Sequence, residues 1–196
     1  MLAVQKTQPT PEELLVQGRV CGTCAMCCKV FAIPEVDKGS QEWCRYVAQG
    51  RGCGIHATRP TVCRQFFCHW LRNPHLGPEW KPDRAKFLLY TEMGGKRLVV
   101  APDAGSPRAW RKEPFYGQFK RWAVAAAASN NQILVFNGKR ATVILPDRDV
   151  DLGVVEVGDD VITRLINGRV EVEHHRKSYA AVEQALTAGN GPVSGL

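Results

Sequence analysis

The chain has 196 residues, of which 44% are hydrophobic and 23% charged, and its formal net charge is +7. This composition is ordinary for a globular protein and excludes an intrinsically disordered chain. No apolar run approaches the roughly 18 residues of a membrane-spanning helix, and Met1–Leu15 lacks the apolar stretch of a secretory signal. We therefore expect a cytoplasmic protein without a membrane partner.

Residues 1–18 predict an N-terminal helix or arm. Thr10 is suited to the N-cap and Pro11 to the first helical position, and Glu13 completes a capping box. Gly18 is the expected end of this helix.

All eight cysteines fall within the next segment, residues 19–72. They are Cys21, Cys24, Cys27, Cys28, Cys44, Cys53, Cys63 and Cys68. The segment is rich in glycine and turn residues, so it has few ways to build an apolar core from side chains. In a reducing compartment, such a density of cysteine is typical of metal ligation rather than of a disulfide framework. We therefore expect a bound metal to organise this module.

Beyond the turn residues at 73–78, residues 86–178 change to β-structure. Three pairs of apolar runs, each joined by a turn that contains glycine, predict three hairpins. They are Phe87–Thr91 with Arg97–Ala101 around Met93-Gly94-Gly95, Gln132–Phe136 with Lys139–Leu145 around Asn137-Gly138, and Val161–Ile166 with Arg169–His174 around Asn167-Gly168. An Asn-Gly pair between strands is typical of a type I′ turn.

Two helices are also predicted in this half of the chain. The first begins at Pro114, and its apolar face carries Phe115, Phe119, Trp122 and Ala126. The second is Tyr179–Leu186, within a C-terminal helix and tail at residues 179–196. The predicted fold class is therefore α+β: a small, metal-organised, cysteine-rich module followed by a half rich in β-hairpins with one or two helices.

The first four cysteines are spaced as CxxCxxCC between Cys21 and Cys28. Two overlapping CxxC turns bring three thiolates together, as at the start of a bacterial ferredoxin motif, but the fourth ferredoxin cysteine with its proline is absent. Adjacent residues tend to direct their side chains apart, so Cys27 and Cys28 are not expected to share one mononuclear ion. One of the two then serves a second site, bridges two metals or remains free.

The second group of cysteines, Cys44, Cys53, Cys63 and Cys68, is more widely spaced. Together with the first group it supplies the ligands that two tetrahedral tetrathiolate sites require. Ligating cysteines are anions, so eight thiolates and two divalent ions would leave a net charge of about +3. The basic composition is therefore only weak support for a nucleic-acid partner.

The combined pattern resembles that of the CxxCxxCC zinc- or iron-chelating proteins, also called the YkgJ-type cysteine-cluster family. In this family CxxCxxCC is followed by a glutamate, a lone cysteine and a C-x-I-[YH]-x-x-R-P-x-x-C-R-x-F-x-C block. Glu35 lies in the expected stretch and residues 53–68 match the block throughout, with His56 where tyrosine is commoner. The resemblance implies a metal chelator that holds zinc or an iron–sulfur cluster, and it leaves residues 86–196 without an interpretation.

Other polar residues near the cysteines have simpler interpretations. His56, His69 and His75 are candidate ligands, but we favour ordinary imidazoles because the thiols already suffice. Arg59 and Arg64 either neutralise or hydrogen-bond the thiolates, or form surface salt bridges, and the two interpretations are equally favoured.

Residues 108–122 interleave basic and aromatic side chains, as nucleic-acid-binding proteins do. We favour an amphipathic helix with a solvated basic face, because Phe115, Phe119 and Trp122 already have the spacing of a core face.

No phosphate-binding loop, G-x-S-x-G or H-E-x-x-H motif is present, so any catalysis must use the metal site. The sequence predicts a protein that holds zinc or an iron–sulfur cluster, such as 4Fe–4S, through its eight cysteines, with an accessory role toward a protein partner. The alternative is an iron–sulfur oxidoreductase or electron carrier, and a nucleic-acid-binding protein is less favoured. Thiolate spacing does not distinguish zinc from iron, because soft ligands suit both.

Overall fold

The computed structural model of the chain describes residues 14–176. Within that range the helices are α1 (Cys27–Val30), α2 (Thr61–Gln65), α3 (His69–Arg72), α4 (Pro82–Ala85) and α5 (Phe115–Ala128). The strands are β1 (Val47–Ala48), β2 (Gly52–Cys53), β3 (Phe87–Glu92), β4 (Arg97–Pro102), β5 (Gln132–Asn137), β6 (Arg140–Ile144), β7 (Asp149–Val154), β8 (Asp160–Ile166) and β9 (Arg169–His175). Short 3₁₀ turns lie at Pro34–Val36, His56–Thr58, Pro78–Trp80, Met93–Gly95 and Ala109–Arg111. The predicted α+β class is therefore confirmed.

Strands β3 to β7 form one five-stranded sheet in sequence order. Neighbouring strands are antiparallel except β4 and β5, which are parallel. Parallel neighbours cannot be joined by a tight turn, so the chain crosses over the sheet between them, and α5 lies in that crossover. Two small hairpins, β1–β2 and β8–β9, lie outside this sheet.

The sheet is buried on both faces. In β3, Phe87 and Leu89 belong to the core beneath α5, whereas Leu88 and Tyr90 pack against the cysteine-rich segment. Successive side chains of a strand point to opposite faces, so a strand covered on both sides needs consecutive apolar residues. This explains why β3 begins with the unbroken run Phe87-Leu88-Leu89 instead of an alternating pattern.

The core beneath α5 is built largely from aromatic rings. Trp80 contacts Phe115 and Phe119 edge to face, with ring centroids 4.9 and 5.6 Å apart. Phe87 meets Phe115 in the same geometry at 5.0 Å. Such edge-to-face pairs add to the stabilisation that comes from burial alone. Phe115, Phe119 and Ala123 are the buried residues of α5, which confirms the predicted core face of this helix.

The opposite face of the sheet is packed against the cysteine-rich segment. Met26, Val30 and Leu71 of that segment form a buried cluster with Leu88 of β3 and Ala101 of β4. The expectation that this segment has little apolar core is therefore wrong. Its apolar residues show no periodicity because part of the core that they complete is contributed by the sheet.

The β8–β9 hairpin also packs against the sheet. Val161 and Val170 of the hairpin form a third buried cluster with Leu134 of β5 and Val143 of β6. Gln132 supports this contact, since its Nε2 donates to the carbonyl oxygen of Val161 at 2.6 Å. Ala127 of α5 also packs against this cluster, so the hairpin contacts both the sheet and the end of the helix.

All three predicted hairpins are confirmed, with one difference in a turn. Asn167-Gly168 has positive φ at both residues, as a type I′ turn requires. The prediction of a type I′ turn at Asn137-Gly138 is wrong, because Asn137 remains in β5 and pairs with Arg140. This pairing leaves Gly138-Lys139 as the turn.

Strand β7 is absent from the predicted elements because its aspartates and glycine interrupt the apolar pattern. It pairs with β6 and is tied to α5 through Asp149. The Asp149 carboxylate accepts hydrogen bonds from Arg111 at 2.8 Å, from Lys120 at 2.7 Å and from the Tyr116 hydroxyl at 3.0 Å. These contacts fasten α5 and the turn before it to the edge of the sheet.

Parts of the predicted termini lie outside the described residues. This holds for the first 13 residues of the predicted N-terminal helix or arm and for the whole of Tyr179–Leu186. Gly18, the expected end of the first helix, has a φ of 78°. Between residues 14 and 176, no helix is both long and apolar enough to span a bilayer.

The burial of Phe119 gives a test of the layered core. Phe119 is 0% exposed, whereas Val124 on the same helix is 60% exposed. We expect Phe119→Ala to lower the free energy of unfolding by about 3–5 kcal/mol, because it leaves a cavity among aromatic rings. Val124→Ala is the matched control and should change it by less than about 0.5 kcal/mol. Urea denaturation followed by circular dichroism measures both, and similar losses in the two variants would contradict the assigned face of α5.

Candidate metal centre

Four cysteines, here called the first set, lie around one small cavity: Cys21, Cys24, Cys27 and Cys68. The cavity has a volume of about 30 Å³, and its other walls include Phe66, Trp70, Leu71, Lys81 and Leu88. Cys21 and Cys24 come from the turn before α1, Cys27 begins α1, and Cys68 immediately precedes α3. The fold thus brings together cysteines from both ends of the cysteine-rich segment.

Backbone N–H groups point at the sulfurs of the first set. The amides of Met26 and Asp83 hydrogen-bond to Cys24, and each lowers the pKa of that thiol against the larger rise caused by burial. Burial raises the pKa of Cys68 to about 11, and the amides of Leu71 and Trp70 oppose that rise. Hydrogen bonds of this kind stabilise the thiolate form, which is the form that ligates a metal.

Arg19 holds the two ends of the cysteine-rich segment together. Its Nη1 donates to the carbonyl oxygens of Trp70 and of Asn73, the latter at 2.7 Å. Its Nη2 donates to the carbonyl oxygens of Leu76 at 2.6 Å and of Pro74 at 3.3 Å. The guanidinium also lies 4.8 Å from the centroid of the Trp70 ring. Arg19 therefore ties the chain just before the first cysteine to the chain just after the last one.

The remaining cysteines form a second set: Cys28, Cys44, Cys53 and Cys63. Burial raises the pKa of the Cys63 thiol, and the neighbouring charges of Cys28, Cys44 and Cys53 add to that rise. Cys28 lies in α1, Cys53 in β2 and Cys63 in α2, so three different elements supply this set. Cys21, Cys24, Cys27 and Cys68 thus line one cavity, whereas Cys63 is affected by the charges of Cys28, Cys44 and Cys53.

The two sets meet at Cys27 and Cys28. Their sulfurs are 4.0 Å apart, so the expectation that these adjacent side chains diverge is wrong. A hydrogen bond between the two sulfurs lowers the pKa of Cys28 to about 7. The same bond, followed by burial, raises the pKa of Cys27 well above its ordinary value. The two sulfurs at the junction of the sets therefore differ in pKa, with Cys28 the more acidic.

A close backbone contact also joins the two sets. Gly52 adopts a φ of +86°, and a Cβ at this position would lie 2.5 Å from the carbonyl oxygen of Gly22. Because Gly22 follows Cys21 and Gly52 precedes Cys53, this contact places the turn of the first set directly against the β1–β2 hairpin of the second. Glycine is required at Gly52 both for its backbone conformation and for the space.

Lys38 is a buried cation beside the second set. Lys38 is 7% exposed, and its Nζ donates to the carbonyl oxygens of Lys29 at 2.8 Å and of Phe31. Burial lowers the pKa of Lys38, and the charges of Cys28 and Cys44 oppose that effect. A cation in this position compensates the negative charge of thiolates. The spacing of the cysteines in the sequence did not indicate this role for Lys38.

Arg59 lies between the two sets. Its charge acts on Cys21, Cys28 and Cys53, and in each case it lowers the pKa of the thiol. Its Nη1 contacts Nε2 of His56. Its Nε is buried and has no hydrogen-bond partner in the described part of the chain. Of the two interpretations held open from the sequence, this electrostatic effect agrees with neutralisation of the cysteine charges by Arg59 rather than with a surface ion pair.

Other polar side chains near the sets have partners of their own. Arg64 is exposed and donates to the Thr61 hydroxyl at 3.2 Å. His69 Nε2 is 3.0 Å from the Asn73 amide nitrogen, and His75 is exposed. These contacts agree with the interpretation that His69 and His75 are ordinary imidazoles.

The cysteines do not surround a metal-binding point as they stand. All eight lie within the described residues and all are free thiols. Across residues 14–176, no three histidine, cysteine, aspartate or glutamate side chains are grouped closely enough to hold an ion. The chemistry of the donors suits zinc or iron, since each set contains four thiols with amide donors or cations beside it. Binding would then require the cysteine side chains to close around the metal.

The basic and aromatic residues at 108–122 are used largely within the fold. Arg111 and Lys120 pair with Asp149, at 2.8 and 2.7 Å. Trp110 is 2% exposed, and its ring lies 4.1 Å from the Arg111 guanidinium. These contacts agree with the favoured interpretation of this segment as part of an amphipathic helix and of the turn that precedes it.

Comparisons with known proteins add no identification. No family model matches the chain, and no curated protein or solved structure is significantly similar to it.

The contact between Gly52 and Gly22 gives a test of how the two sets are joined. We expect Gly52→Ala to lower the free energy of unfolding by about 1–3 kcal/mol more than Gly50→Ala does, because it adds a steric clash to the strain of a positive φ. Gly50 is the matched control, since its φ is +72° and nothing lies within 4 Å of its added Cβ. Urea denaturation measures both, and equal losses would show that the turns do not meet.

Proposed function

We propose that this protein binds two metal centres through its eight cysteines, one centre for each set of four. The observation that carries the proposal is the division of the cysteines by the fold. They are spread over residues 21–68, yet four line one cavity. Of the others, Cys44 donates through its backbone N–H to the Cys28 carbonyl oxygen at 3.1 Å, and Cys53 pairs with Val47 in the β1–β2 hairpin. Two groups of four thiols match the ligand number of two tetrathiolate zinc sites or of two iron–sulfur clusters.

The surroundings of the sulfurs support ligation as thiolates. Lys38, Arg59 and Lys81 place positive charge next to the two sets, and backbone amides donate to Cys24 and Cys68. The Nε of Arg59 is buried and has no hydrogen-bond partner among residues 14–176, so it is a donor that a ligating thiolate can satisfy. Bound metal supplies the positive charge that allows several thiolates to lie close together.

Zinc and an iron–sulfur cluster both fit this donor set. The resemblance of residues 21–68 to the CxxCxxCC chelating family is compatible with either metal. With zinc, we propose an accessory role toward a protein partner in a reducing cytoplasm, where eight free thiols persist. With iron, the same sites would give an iron–sulfur electron carrier or oxidoreductase, which is the alternative function.

Anaerobic purification followed by metal analysis and an ultraviolet–visible spectrum tests the proposal. We expect two zinc ions per chain without colour, or iron with sulfide and a brown absorption that bleaches with dithionite. Cys24→Ser and Cys63→Ser should each lower the metal content, because serine does not supply a thiolate at neutral pH. Wild-type protein purified without oxygen that holds neither zinc nor iron would refute the proposal.

The contrast between Arg59 and Arg64 gives a second test. We expect Arg59→Gln to weaken metal binding by about 10–100-fold, since partners that hydrogen-bond to ligands contribute on this scale. Arg64→Gln is the control in the same motif, because Arg64 is exposed and bonded to Thr61. Its affinity should remain within about twofold of the wild type. Competition with a chromogenic chelator measures both, and equal affinities in the two variants would exclude a role for Arg59 at the sulfurs.

A further inference from the structure

A second small cavity lies between the β8–β9 hairpin, the end of α5 and the central sheet. Its volume is about 10 Å³. Most of its wall consists of alanine, valine, isoleucine and leucine side chains from these elements, and its polar wall residues are Asn131, Gln132 and Thr163. It shares no wall residue with the cavity that the first set of cysteines lines.

Thr163 brings an unpaired hydroxyl group to this cavity. The residue is 8% exposed, and its Oγ1 is buried with no hydrogen-bond partner among residues 14–176. Thr163 lies opposite Val172 in the hairpin and, by the alternation of a strand, on the same side as the buried Val161. Buried polar groups in proteins are nearly always hydrogen-bonded, because leaving one unpaired costs the free energy of its desolvation. We therefore expect a partner for this hydroxyl within the cavity.

Gln132 is already engaged on both polar atoms of its side chain. Its Nε2 donates to the Val161 carbonyl oxygen at 2.6 Å, and its Oε1 accepts from Nε of Arg97 at 3.2 Å. The missing partner of Thr163 is therefore not expected from this side chain.

The end of α5 offers a free acceptor on the opposite wall. The last four carbonyl oxygens of a helix have no partner within the helix. In α5 the Ala126 carbonyl oxygen accepts from the amides of Ser129 at 3.1 Å and of Asn131 at 2.8 Å. Ala127 also lines the cavity, and no backbone amide of residues 14–176 donates to its carbonyl oxygen. The hairpin thus contributes a hydroxyl to the cavity, and the helix contributes a carbonyl oxygen.

The size of the cavity limits what can connect these two groups. A volume of about 10–15 Å³ is what one water molecule needs, together with two to four polar partners. We propose that the cavity holds one buried water molecule, which hydrogen-bonds to the Thr163 hydroxyl and donates to the Ala127 carbonyl oxygen. The water links the β8–β9 hairpin to the end of α5. This inference does not depend on the proposed function.

Crystal structures of the wild type and of Thr163→Val at high resolution test the proposal. Valine keeps the shape of threonine and removes the hydroxyl. In the wild type we expect one density peak within hydrogen-bonding distance of both Thr163 Oγ1 and the Ala127 carbonyl oxygen, and we expect Thr163→Val to lose it. A wild-type cavity without this peak, or a peak that persists in the variant, would overturn the proposal.

Urea denaturation provides an independent measurement. If the buried hydroxyl had no partner, its removal in Thr163→Val would raise the denaturation midpoint. We expect the midpoint to fall instead, because the variant loses a hydrogen-bonded water. Thr142→Val is the control, since Thr142 is a half-buried residue of β6 that does not line the cavity. A midpoint of Thr163→Val at or above that of the control contradicts the proposal, and if Thr163→Val does not fold, the wild-type crystal structure decides.

Discussion

Strand β3 must be covered on both faces, and the remainder of the molecule is arranged around that requirement. Phe87 and Leu89 need the aromatic core beneath α5, while Leu88 and Tyr90 need cover on the other side. The cysteine-rich segment supplies this cover. It is therefore a layer of the same fold and not an appendage, and the position of its sulfurs depends on how well it packs against the sheet.

Within that layer, side-chain hydrogen bonds and ion pairs provide much of the stabilisation that longer helices and strands provide elsewhere. Helices α1 to α4 have four or five residues, which is too short for stability without tertiary contacts. The Gln41 side chain supplies two such contacts. It donates to the Pro102 carbonyl oxygen and accepts from the Ala104 amide, both at 3.0 Å. Lys29 pairs with Asp103 at 2.6 Å in a largely buried position. These bonds join the cysteine-rich layer to the end of β4, as Arg19 joins its two ends to each other.

The junction of the cysteine sets brings several thiol groups into a small space. Cys27 and Cys28 lie 4.0 Å apart, and the turns that carry Cys21 and Cys53 touch through glycine backbone. Thiolates at such distances repel one another in a partly buried environment, and cations such as Lys38 and Arg59 offset the repulsion only in part. Burial and this repulsion raise the pKa of Cys63 and of Cys68, so both groups are neutral thiols at neutral pH.

The sequence by itself determined the elements that have local signals. These are the three hairpins, the apolar face of α5 and the eight candidate thiolates with their CxxC turns. The tertiary structure alone decided what depends on contacts between distant residues. It paired β4 with β5 in parallel and placed the β5–β6 turn at Gly138-Lys139, one residue later than expected. It also grouped Cys68 with Cys21 instead of with Cys63. Spacing along the chain does not show which sulfurs meet, because that depends on packing against the sheet and on the carbonyl oxygens that Arg19 holds.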